Sequence, residues 1–252
     1  MFKIFSLILV VFLLLSGCSE IVATPTPETP PSTIQPDVNI SDNYATYLCS
    51  KTDSLRVRNS PNSSSTTLGY LDKYDLVKYV GEDGDYYETV FREKRAYVHK
   101  SYVQKVDFEK SNPKVESAIE IGSSLLGYPY VFGSLRYHWG NGKLNSNYIH
   151  GQYDCSALVQ YAYYVSNKVI LDVTTRTQVS NGSPVGKNDL KRGDLMFFTN
   201  ASRKHLIGTE RIGHVGIYFG DNYILHTASD HAVIEPISST RWDYFITARR
   251  VV

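Results

Sequence analysis

The hydrophobic period of this 252-residue chain changes from strand-like to helical at Asn112-Pro113, so a second folding unit is expected to begin there. From Tyr44 to about Val106, short apolar runs (LRVR, LGYL, LVKYV, YYETVF and RAYVH) are broken by the turn-rich stretches NSPNSSS and GEDGD. Leu55 and Val57 alternate with arginines as in a half-buried strand, and the close spacing of the runs predicts a small β-barrel. From Asn112 the spacing turns helical. Asn112 suits a helix cap and Pro113 the first helical position, and Val115, Ala118, Ile119, Gly122, Leu125 and Leu126 supply one apolar face that stops at Gly127. Further on, LKRGDLMFF, HVGIYF, YILHTA and FITARRVV read as strands. Helices followed by strands predict an α+β domain with an antiparallel sheet, behind the all-β barrel.

A second helix is expected in YDCSALVQYAYY, where Leu158, Ala162 and Val165 recur at i, i+4 and i+7. It starts near Asp154 and puts Cys155 in its first turn. Unpaired backbone N–H groups there stabilise an anion and lower a thiol from its free pKa of about 8.5. A free cysteine is equally at home as a small buried hydrophobe, so the helix start alone leaves both readings open. Cys49 lies in the barrel region and reads as core, which argues for two separate thiols rather than a disulfide with Cys155.

The chain begins MFKIFSLILVVFLLLSGC, with Lys3 followed by an apolar run to Leu15 and small residues before Cys18. The run is shorter than the about 20 residues that cross a bilayer and reads as a signal peptide. Leu15-Ser16-Gly17-Cys18 resembles the lipobox of bacterial lipoproteins. That resemblance implies removal of residues 1–17, lipidation of Cys18 and attachment to the membrane, outside the cytoplasm and facing the wall. Residues 18–43 are rich in Pro and Thr and too poor in apolar side chains to fold, so an extended tether is expected. The folded units are then 44–107 and 108–252. Basic residues (26) nearly balance acidic ones (25), and no basic field invites nucleic acid. The 20 tyrosines fit either a ligand platform or ordinary strand propensity, and composition does not choose.

In GHVGIYFGDNYILHTAS a hairpin turns at Gly220-Asp221-Asn222 and brings His214 level with His226 on the next strand. Each histidine alternates with large apolar residues (Val215, Ile217, Leu225), so both imidazoles are expected on one sheet face, against which the Cys155 helix would pack. A Cys, an adjacent His as base and a third group orienting that base form an activated nucleophile. A pair of structural histidines, or a zinc site using Cys155, His214 and His226, are the alternatives.

Asp154-Cys155-Ser156, Gly193-Asp194-Leu195, the stretch from Gly213 to Tyr218, and His226 together resemble the NlpC-type family of papain-like cysteine peptidases, from about Asn112 to Val252. SLRVRNSPNSSSTTLGYL, Asp85-Tyr86-Tyr87 and the stretch from Ala96 to His99 resemble a bacterial SH3-like domain, with tyrosine at positions where tryptophan is frequent. The first resemblance implies Cys155 as nucleophile, His214 as base and His226 as its orienting group, with no metal or cofactor. The implied substrate is the peptidoglycan stem peptide, cut between γ-D-glutamate and the diamino acid. Positions matching Tyr130, Asp154 and Ser156 imply a site for the free amino terminus of an L-Ala-γ-D-Glu peptide. A carboxylate beside a reactive thiol needs a cation, which that amine would bring; helix capping is the other use of Asp154. The sequence departs from the family at Phe132, at Ser134, and in an insertion over Leu135–Gln152 whose Gly, Asn and Ser content predicts a loop, walling the cleft or passive. A papain-like amidase or acyltransferase, and a non-catalytic wall-binding lipoprotein, are the remaining readings.

Overall fold

A computed structural model of the chain describes residues 43–228 and 230–252. The expected signal segment, the expected lipidation site Cys18 and all of the expected tether but Asn43 lie outside the described residues. The first unit contains β1 (Tyr44–Ser50), β2 (Leu55–Arg58), β3 (Thr67–Leu71), β4 (Leu76–Lys78), β5 (Gly81–Asp83), β6 (Tyr86–Phe91), β7 (Lys94–His99) and β8 (Val103–Glu109). They form a sheet of order β4-β1-β8 and another of order β3-β2-β7-β6-β5. The runs that alternate in the sequence all appear as strands. β1 and β8 pair along their whole length, Tyr44 with Glu109 through to Ser50 with Val103. β8 buries only Val103 and Phe108 among polar neighbours, a pattern too sparse to announce a strand.

The second unit opens with α1 (Pro113–Ser124), where the Asn112 side chain accepts from Lys114 N and Val115 N, each at 3.0 Å. Next come α2 (Cys155–Asn167), α3 (Thr175–Gln178), β9 (Ser183–Val185), β10 (Leu195–Phe198), β11 (His214–Gly220), β12 (Tyr223–Thr227), β13 (Ala232–Pro236), α4 (Ser239–Asp243) and β14 (Phe245–Arg250). The sheet runs β13-β12-β11-β10-β14-β9, and every pairing is antiparallel. Asp221 (φ 47°) and Asn222 (φ 65°) both adopt the left-handed conformation that a tight hairpin turn requires. No helix among the described residues is long and apolar enough to cross a membrane.

Val215, Ile217 and Leu225 join the core that also holds Ile119, Leu158 and Ala162, so α1 and α2 cover that face of the sheet. Met196, Phe198, Ile224 and Ile237 form a separate cluster. Strand alternation places this second cluster on the opposite face.

The same core is continuous with the barrel. Phe219 on β11 meets Tyr47 and Phe108 edge-on, with ring centroids 4.9 Å and 4.8 Å away. Phe91 lies against Gly127, where φ is +85° and an added Cβ would stand 2.1 Å from the ring. Gly127 therefore ends α1's turn and admits the barrel's phenylalanine at once. Asp194, 1% exposed, accepts from Lys191 N at 2.7 Å and from two N–H groups of Arg250 at 2.8 and 2.7 Å. It ties β14 to the start of β10.

Candidate active site

Asp154 caps α2, its Oδ1 accepting from Ala157 N at 2.9 Å. Cys155 follows in the first turn, and its thiol lies against the backbone of Val215, the residue after His214. Cys49 and Cys155 are both free and buried.

The two histidines do not sit on the helix-covered face. His214 is paired opposite Phe198, with ring centroids 6.1 Å apart, and Phe198 belongs to the cluster away from α1 and α2. The expectation that α2 packs on the histidine face is corrected accordingly: the helix takes the face with the larger apolar residues, Val215, Ile217 and Leu225. His214 is the first residue of β11, and α2 meets that strand end through its own N-terminal turn.

His214 Nε2 lies 2.9 Å from His226 Nδ1, and His226 Nε2 lies 2.9 Å from Glu235 Oε1. Gly216 makes room for this row, because a Cβ there would stand 2.9 Å from the His226 Cβ and 2.6 Å from Ile224. Arg241 also donates to Glu235 Oε1, at 3.1 Å. Burial works to raise Glu235, but the hydrogen bond and charge of His226, with Arg241, outweigh it and hold the carboxyl below its ordinary 4.5. Glu235 is therefore ionised and can only accept. The proton directions follow in sequence. His226 donates from Nε2, its bare Nδ1 accepts from His214 Nε2–H, and His214 is left with an unprotonated Nδ1. The lone pair of His226 is thereby committed to His214, so the imidazoles act in series rather than converging on one point.

Burial holds His214 well below its ordinary 6.5, with the charges of His226 and Arg241 acting the same way. His226 is lowered by burial against the opposing pull of Glu235. Burial pushes the Cys155 thiol up to about 12, reinforced by Asp154 and opposed by the Val215 backbone, Arg136 and the Ser156 backbone. The helix start acts in the expected direction, and burial in a site 7% exposed outweighs it. At rest Cys155 is a thiol and His214 a neutral imidazole.

Tyr130 faces the same cluster: burial raises its hydroxyl, with Cys155 and Asp154 adding to the shift. It lines, together with Phe198, His214, Thr227, Arg241 and Tyr244, a cavity of about 530 Å³. Asp154 and Ser156 are 6% and 3% exposed, and Ser156 Oγ donates to Asp154 Oδ1 at 3.0 Å. The cation for Asp154 comes from the chain itself. Arg136, in the insertion, donates from Nη2 to Asp154 Oδ2 at 2.9 Å and to Ser156 Oγ at 2.8 Å. Glu235, Arg241 and Arg136 are the site residues that the sequence reading passed over. Glu235 carried no local signal, since Ala232, Val233 and Ile234 before it are all buried and show no alternation.

The profile of the NlpC/P60 family matches residues 127–251, and that of the bacterial SH3 domain matches residues 53–104. The chain is 32% identical over 130 residues to the peptidoglycan DL-endopeptidase CwlO of Bacillus licheniformis, covering 51% of this chain and 26% of that protein. It is 28% identical over 167 residues to the gamma-D-glutamyl-L-lysine dipeptidyl-peptidase of Bacillus subtilis, covering 66% and 49%. The chain thus spans between a quarter and a half of the length of these relatives. A crystal structure of an NlpC/P60 family protein from Bacillus cereus aligns with 83% of this chain and 64% of its own, at 20% identity and a TM-score of 0.43. By these family profiles, residues 127–251 are an NlpC/P60 family domain carried behind a bacterial SH3 domain at residues 53–104.

Proposed function

We propose that the chain is a cysteine peptidase that hydrolyses peptidoglycan stem peptides at the bond between γ-D-glutamate and the diamino acid. The observation that carries this reading is the row from Glu235 through His226 to His214, ending on an unprotonated imidazole nitrogen beside the α2 N-terminus that bears Cys155. As the Cys155 sulfur attacks the γ-carbonyl, His214 Nδ1 takes the thiol proton; the imidazolium is stabilised through His226 by the Glu235 carboxylate. The backbone N–H of Cys155 faces the developing oxyanion at the helix start. Collapse of the tetrahedral species returns the proton to the leaving amine and forms a thioester, which water then cleaves with His214 again as base. The names of the relatives support the substrate class. The test is mass analysis of stem peptides and of whole peptidoglycan after incubation with the purified protein: fragments split after γ-D-glutamate are expected, and intact substrate, or release of sugar–peptide amides instead, would refute the reading.

The depressed basicity of His214 sets the acid side of the pH profile. A base must be unprotonated to act, and a pKa below 6.5 keeps it so in mildly acid solution. We expect kcat/KM to hold through pH 6.5 and to fall only below it. An acid limb centred above pH 7 would place an ordinary or raised histidine in that role.

The lipid anchor belongs to the same reading. Cys18, behind Leu15-Ser16-Gly17, is the site of lipidation, and residues 18–43 hold the folded part off the membrane within reach of the wall. Cys18→Ala is expected to move the protein from the membrane fraction to the soluble fraction or to stop its maturation. Unaltered membrane retention would remove the anchor.

A further inference from the structure

We infer that Arg136 decides which amino end of a substrate the cleft accepts: by occupying the Asp154–Ser156 pocket it turns away a free ammonium, and the chain prefers stem peptides whose amino end is acylated. The inference rests on the stem-peptide reading above and reverses the substrate preference that the sequence suggests.

Three of the about four acceptor positions of the Asp154 carboxylate are taken, and its negative charge is already paired with Arg136. Its Oδ1 takes Ala157 N and Ser156 Oγ, and its Oδ2 takes Arg136 Nη2. Ser156 Oγ, which donates to Asp154, also accepts from Arg136. An incoming ammonium brings three donors to a carboxylate with about one acceptor position open, and meets the like charge of Arg136 beside it.

The arginine is also held from behind. Nε donates to Val173 O and Nη1 to Ser134 O, while Asn145 Nδ2 donates to the Arg136 carbonyl at 3.0 Å. Ser134 Oγ in turn accepts from Asp154 N at 2.8 Å. The insertion that carries it is docked on α2: His138 is fully buried, and the Tyr137 ring meets Tyr148 and Tyr161 edge-on at 5.0 and 5.1 Å. Swinging Arg136 aside would break contacts to two separate segments. An acylated amino end brings no charge, and its carbonyl can accept the guanidinium N–H that these bonds leave over. Arg136 is thus a specificity-determining residue, and the insertion is a wall of the cleft.

The test compares L-Ala-γ-D-Glu-L-Lys with its N-acetyl derivative as substrates of the purified chain. The wild type is expected to favour the acetylated peptide. Arg136→Met, which keeps much of the side chain's length without its charge, should shift the kcat/KM ratio toward the free amine about tenfold, mainly through KM. That gain should fade above a pH of about 8 as the α-amine deprotonates, a signature that a purely structural loss would not give. Equal rates on the two peptides, a wild-type preference for the free amine, or an unchanged ratio in Arg136→Met would overturn the inference.

A second readout needs no turnover. The rate of Cys155 modification by 2-aminoethyl methanethiosulfonate, relative to the neutral methyl reagent, should rise about tenfold in Arg136→Met. If neither peptide is cut, the peptidase reading fails, while this ratio still decides whether Arg136 screens Asp154. Should Arg136→Met not fold, Arg136→Lys keeps the cation without its fork. It should retain the wild-type order of substrates, and a switch to the free amine would count against the inference.

Discussion

Cys155→Ala is expected to reduce stem-peptide hydrolysis by at least about 10⁴-fold and to leave the protein folded. The loss follows from removal of the proposed attacking atom: among the described residues the other thiol, Cys49, is buried in the barrel. The fold survives because alanine is the best helix former and Asp154, not Cys155, supplies the cap of α2. A thermal midpoint close to wild type together with lost turnover is the expected pair of results. His214→Ala should behave alike, whereas His226→Ala should retain a remnant because it acts only through His214. Chelating agents should not affect the wild type. Wild-type rates in purified Cys155→Ala would sink the thiol mechanism outright.

Glu235→Ala is expected to lower kcat by about 10²-fold with little change in KM. Without the carboxylate nothing fixes the proton on His226 Nε2. A flipped tautomer would present N–H to N–H at the 2.9 Å contact with His214 and leave the base misdirected. Glu235→Gln should be much milder, within about tenfold, since the amide oxygen can still accept from both His226 and Arg241. The split between the two variants separates orientation from charge: equal losses would show that the negative charge matters more than the acceptor. A change confined to KM would instead place Glu235 in substrate binding.

Local rules made the elements legible, and long-range partners stayed hidden. Asn112 and Asp154 announce their helices because a cap and an apolar stripe lie within a few residues of each other. The β11–β12 hairpin is readable for the same reason, its turn residues standing between alternating strands. β13 escaped notice because Ala232, Val233 and Ile234 are all buried, which erases alternation. Arg136 gave no sign at all: it lies 18 residues before Asp154, inside a polar stretch whose only local message is loop. Many of the tyrosines that composition could not assign pack the insertion onto α2, where Tyr137, Tyr148 and Tyr161 lie ring against ring. Which face of the sheet the histidines take was readable from alternation. Which face the helix takes depended on where the larger apolar residues fell.

The aromatic seam between barrel and sheet has a consequence for how the proposed hydrolase would be kept in check. With Phe91 seated on Gly127 and Phe219 clasped by Tyr47 and Phe108, neither unit has a finished surface of its own. Denaturant should melt both in one step, with barrel and sheet signals losing amplitude together. A protease that cuts just after β8 would not set loose a smaller, freely diffusing lytic enzyme. It would bare Phe219 and Gly127 to water and silence the protein, so that damage to the molecule ends wall cleavage instead of spreading it.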